Sequence, residues 1–62
     1  MVRETRTIDG KKYIVEHIID PEADNPVIMK VYDEYETLIF SINGDFDTIT
    51  ENELIKYYET NQ

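Results

Sequence analysis

"VRETRTIDGKKYIVEHII", residues 2–19, decides the fold. Asp9-Gly10 stands between two stretches of alternating character. A two-residue type I′ turn needs positive φ at both central positions, and Asp-Gly meets that demand with little strain. A tight turn there fixes every cross-strand pair. Ile8 faces Lys11, Arg6 faces Tyr13 and Glu4 faces Val15 on one side, while Thr7 faces Lys12, Thr5 faces Ile14 and Arg3 faces Glu16 on the other. The first side, with Val2 and Ile19 added, is the expected core side. The second carries Ile14 and Ile18 among polar groups, an unclean split of the kind left by a bulge or by burial on both faces.

Beyond "DPEADNP" (20–26) comes a second alternating pair. Val27, Met29 and Val31 alternate with Ile28, Lys30 and Tyr32, and Leu38, Phe40 and Ile42 alternate with Thr37, Ile39 and Ser41. Pro26 opens this hairpin at a position where a missing N–H costs little. Its turn near Tyr32-Asp33-Glu34-Tyr35 lacks Gly and Asn, so a loop longer than two residues is expected. In "TITENELIKYYETNQ" (48–62), Leu54, Ile55 and Tyr58 form an apolar stripe at helical spacing. Thr50 with Glu53 reads as a capping box, and Ile49 with Leu54 as its hydrophobic staple. The competing box, Thr48 with Glu51, would staple Asp47 to Asn52, neither apolar, so the cap is assigned to Thr50. Glu51 and Glu53 in the first turn suit the helix dipole. A helix of about two to three turns is not stable alone and must dock on a sheet.

The expected architecture is α+β: a four-stranded, mainly antiparallel sheet of two hairpins, with one C-terminal helix on one face (ββββα), in a single domain spanning 1–62. Ile14, Ile18, Ile28, Ile39 and Tyr32 are left for the uncovered face. That is more apolar surface than an open face should carry, which points to a homodimer or an obligate partner.

Composition narrows the function. With no cysteine and one histidine among 62 residues, disulfides, thiolate metal sites and His-rich metal sites are excluded. The 40% apolar content is enough for a core despite a net charge of −8. Residues 1–12 carry a balance of +2 and residues 13–62 a balance of −10. So acidic a surface repels phosphate and anionic lipid, so neither direct nucleic-acid binding nor a membrane role is expected, and a basic protein surface is the expected partner. No apolar run suits a signal or membrane segment, and a cytoplasmic location is the expectation.

"NGDFDTITENEL" (43–54) resembles the end of a calcium loop, but no register fits. An EF-hand needs oxygen ligands at positions 1, 3, 5, 7 and 9, Gly at 6 and Glu at 12. With Glu53 at 12, positions 1, 3 and 5 are Ile42, Gly44 and Phe46. With Asn43, Asp45 and Asp47 at 1, 3 and 5, position 12 is Leu54. A weak cation contact at Asp45, Asp47 and Glu51 is the residue of that idea, and no metal or cofactor site is assigned. No nucleophile–base pair is recognisable, and so small a chain leaves little room for a pocket of roughly 300 Å3, so no catalytic residue is assigned and the protein is not expected to be an enzyme. His17 follows Glu16, and adjacent strand residues point to opposite faces, so His17 is read as a partly buried sheet residue. Of five tyrosines, Tyr13 and Tyr58 are assigned to the core, and Tyr32, Tyr35 and Tyr57 to the surface. The expected partner-binding residues are Tyr32, Asp33, Glu34, Tyr35, Glu36 and Tyr57, in the acidic second turn and on the helix. The sequence therefore supports a small acidic protein–protein interaction module, a regulator or inhibitor of another protein. A nucleic-acid mimic that inhibits a nucleic-acid-binding protein and a structural homodimer without further partner are the alternatives. No motif identifies a family.

Overall fold

The computed structural model describes residues 2–19, 21–22 and 27–60. Pro26 and most of the segment joining the two hairpins lie outside the described residues. Four strands, β1 (Val2–Ile8), β2 (Lys11–Ile19), β3 (Val27–Asp33) and β4 (Leu38–Asn43), precede one helix, α1 (Thr48–Thr60). The strands form one antiparallel sheet in the order β1-β2-β3-β4. This is the ββββα arrangement expected from the sequence.

Asp9 and Gly10 both take positive φ, 51° and 81°, as a type I′ turn requires. The register follows directly: Ile8 pairs with Lys11, Arg6 with Tyr13, Glu4 with Val15 and Arg3 with Glu16. One face gathers Ile8, Tyr13, Val15, Met29, Val31 and Phe40, all buried, beneath Ile55 of α1. Val2 and Ile19 share that face but are exposed, contrary to expectation. The first buried helical residue, Glu51, stands over Arg6 and His17, and the helix runs from there towards the Asp9-Gly10 turn. The opposite end of the sheet is left beyond its reach.

The expected alternation in β4 breaks at one point. Val31 pairs with Phe40 but Tyr32 pairs with Leu38, so Ile39 is an extra residue without a cross-strand partner. Ile39 packs against the core cluster rather than joining the uncovered face. The uncovered face is less apolar than its sequence implies. Ile14, Ile18, Ile28 and Tyr32 are each half-buried by their neighbours, and Glu16 among them is only 7% exposed.

The helix start also differs from expectation. Asp47 is the cap: its carboxylate accepts the Thr50 N–H at 2.7 Å, and its carbonyl accepts the Glu51 N–H at 2.9 Å. Thr50 is therefore the third helical residue, and Ile49, the expected staple, is 73% exposed. The reason lies just upstream. The ring of Phe46 folds onto Gly44, so closely that a β-carbon at Gly44 would lie 2.6 Å from it, and this sharp bend brings Asp47 into the capping position. Starting there turns Glu51 and Ile55 towards the sheet, with Leu54 half-buried beside them. Tyr58, expected in the core, lies at its margin, stacked on Phe40 with ring centroids 4.2 Å apart.

Asp47→Ala is expected to lower the melting temperature by roughly 5 °C, and Thr50→Ala by less than half of that, since it removes only the hydroxyl's bond to the carboxylate and keeps the backbone N–H. The hydrogen bond from the Thr50 backbone holds the Asp47 carboxyl below its usual value of 3.8. A lowered folded-state pKa stabilises above the unfolded value and loses its effect as pH falls through the folded one. The Asp47→Ala penalty should thus be full at neutral pH and shrink below pH 3.8, which thermal melts across acidic pH will read.

Candidate interaction surface

The loop between β3 and β4 is built by Asp33. The Asp33 carbonyl accepts the Glu36 N–H at 3.0 Å, and the Asp33 N–H donates to Thr37 at 2.9 Å. Glu34, Tyr35 and Glu36 are then a three-residue hairpin loop whose last member takes the left-handed conformation, with Glu36 at φ 65°. Glycine usually fills that position, which is why the loop was hard to delimit from sequence. The Asp33 carboxylate accepts the N–H groups of both Tyr35 and Thr37 at 2.9 Å. Asp33 is thus the scaffold of the loop, and Glu34 and Tyr35 are what it displays.

The six residues assigned to partner binding are divided by the structure. Tyr35 is 81% exposed and Glu34 is exposed beside it. The Glu34 carboxylate, hydrogen-bonded to the Tyr35 phenol, raises the phenol's pKa. Tyr32, expected at the surface, is half-buried on the uncovered face, where its phenol donates to Glu16 at 3.0 Å. That hydrogen bond is the chief reason its pKa is raised. Glu36 pairs with Arg3. Tyr57 is exposed on α1, edge-to-face against Tyr58, and is not part of the loop. A cleft of about 350 Å3 lies between the first turn, this loop and the end of α1, lined by Lys11, Lys12, Tyr13, Glu34, Tyr35 and Glu59. This exceeds the volume expected of so short a chain. Lys11 reaches Glu59 across it at 3.6 Å.

Two ionic networks that the sequence did not disclose support these surfaces. On the uncovered face, Arg3 bonds Glu16 at 3.2 Å and Glu36, with its guanidinium 5.9 Å from the centre of the Tyr32 ring. Between sheet and helix, Glu51 is only 3% exposed. One of its oxygens accepts from Arg6 at 3.0 Å, and the other lies 2.6 Å from Nε2 of His17. Arg6 also bonds Asn52 at 3.2 Å and pairs with Glu4. Burial pulls the Arg6 guanidinium down, but its bonds to Glu4 and Glu51 outweigh this and hold it above the ordinary arginine value. His17 is part-buried as expected, and Glu16 does point to the other face. Its partner is a helical carboxylate some thirty residues on, which no local pattern reveals.

Among the described residues no three His, Cys, Asp or Glu side chains converge as metal ligands, and no helix is long and apolar enough to cross a membrane. Comparison of the chain with protein-family models, with curated proteins and with solved structures found no match.

Removing one partner of a buried ion pair strands the other charge, whereas replacing both by apolar groups is close to neutral. Glu51→Ala is expected to cost about 3 kcal/mol, a large share of the roughly 3–9 kcal/mol a chain of this size holds. The double variant Arg6→Met with Glu51→Met should recover more than half of that loss in urea unfolding. In the loop, Asp33→Ala is expected to cost about 1–2 kcal/mol through two lost hydrogen bonds, and Glu34→Ala less than about 0.5 kcal/mol.

Proposed function

We propose that the protein is a non-enzymatic interaction module, a regulator or inhibitor that binds a basic surface of another protein. The observation that carries this reading is the way charge is sorted. Among the described residues, four of the six Lys and Arg side chains pair within the chain: Arg3 with Glu16 and Glu36, Arg6 with Glu4 and Glu51, Lys11 with Glu59 and Lys56 with Asp9. Glu34, Asp45, Asp47 and Glu53 stay exposed. Their field faces solvent, where a basic partner would be steered towards it. Tyr35 adds an exposed aromatic anchor of the kind enriched in binding hot spots, held on a loop whose backbone is already fixed by Asp33.

Charge reversal at Asp33 or Glu36 would test this poorly, since Asp33 holds the loop and Glu36 holds Arg3. Glu34→Lys combined with Glu53→Lys is the better probe, because both side chains are exposed. Affinity capture from the source cell is expected to retain a basic protein at low ionic strength. Retention should be lost in the double variant, and lost for the wild type at about 1 M salt, where screening acts beyond roughly 3 Å. No retained protein, or one indifferent to both salt and charge reversal, would end this reading.

A further inference from the structure

The sheet has two edges, and they are unlike. β1 carries Arg3, Glu4 and Arg6, and charge along an edge is a common guard against strand pairing. β4 reads LIFSIN, with no charge and no proline. It lies within residues 37–44, the longest charge-free run in a chain that is 32% charged. None of the ion pairs involves a β4 side chain. Exposed apolar groups flank this edge: Leu38 at its start, and Tyr57 and Tyr58 on the helix, with Tyr58 stacked on Phe40 of β4.

The backbone shows which groups this edge offers. The Gly44 N–H donates to the Val27 carbonyl at 2.9 Å. In an antiparallel pair, bonding and non-bonding residues alternate. Gly44, Ile42 and Phe40 therefore turn their backbone groups to β3, and Asn43 and Ser41 turn theirs outward.

We infer that β4 pairs antiparallel with β4 of a second copy of this chain, about a two-fold axis through Ile42. Symmetry and pleat leave few alternatives. An axis between two residues would set helix-side residues against open-face residues, which the pleat forbids. An axis through Ser41 would need Ile39, the bulge residue, to complete the ladder. With the axis through Ile42, Ser41 of each copy exchanges both bonds with Asn43 of the other. On the helix side, Ile42 meets Ile42, and Phe40 lies opposite Gly44, over which the ring of Phe46 is folded. The surface is self-complementary, as an isologous dimer requires, and it has no charge with which to select a different partner. Two copies of net charge −8 repel elsewhere, and this edge is where they approach at least cost. Added salt should tighten the dimer, the opposite of its effect on a basic partner, so failure of one idea is distinguishable from failure of the other.

Sedimentation equilibrium of the full chain tests this. The apparent mass should rise from 7.4 kDa towards twice that value between about 10 µM and 1 mM, the range suited to a small interface. Ser41→Pro, which removes an outward donor and leaves the bonds to β3, and Ser41→Lys, which charges the edge, should each restore the monomer with an unchanged circular dichroism spectrum. Hydrogen exchange of the unmutated chain supplies a reading free of folding artefacts: the Ser41 and Asn43 amides should slow at least tenfold as concentration rises. A chain that stays monomeric with those two amides in rapid exchange, leaving the edge to a strand of some other protein, overturns the inference. So does a dimer in which both amides stay unprotected.

Discussion

The Glu51 carboxylate, buried between helix and sheet and held by Arg6 and His17, is the contact on which the arrangement of this molecule depends. A 13-residue helix is too short to persist on its own. Only Ile55 buries a large apolar side chain fully beneath it, with Leu54 half-buried alongside. Apolar contact alone would let so slender a helix slide. A carboxylate bound on both oxygens, by one residue from β1 and one from β2, sets its position along and across the sheet. Ion pairs of this kind add little net stability over an apolar pair, and specifying one arrangement is their best attested use.

The same economy runs through the surface. A chain of 62 residues buries too little to tolerate stranded charges. Both buried acids among the described residues, Glu16 and Glu51, are met by arginine and by a further ring-bearing side chain, Tyr32 or His17. Among the described residues no buried polar side-chain atom lacks a hydrogen-bond partner. Satisfying the interior consumes the arginines, and the consequence is a surface on which acidic groups predominate. Negative exterior and neutralised interior are two results of one distribution of cations.

The first hairpin was legible residue by residue. Asp9-Gly10 admits a turn that few other dipeptides can make, and period-two alternation then assigns every pair. The second hairpin was legible in its strands but not in its bulge, because Ile39 is as good a strand residue as its neighbours and nothing local marks it as extra. The helix was legible in its existence and not in its start. Asp47, Thr48 and Thr50 are all competent caps, and the choice among them was made by the bend of Phe46 onto Gly44. Of the candidate partner-binding residues, Glu34, Tyr35 and Tyr57 are exposed. Asp33, Glu36 and Tyr32 carry structural bonds that depend on Thr37, Arg3 and Glu16.

The sequence by itself determined the element order, the first register and the sign of the surface, since each follows from neighbouring residues or from composition. Tertiary structure decided which acids are buried and which cations meet them. Those outcomes rest on contacts between residues far apart in the chain, such as Arg6 with Glu51 and Arg3 with Glu36. Helical and strand periodicity report only which side of its own element a residue occupies, and carry no record of what that side will meet.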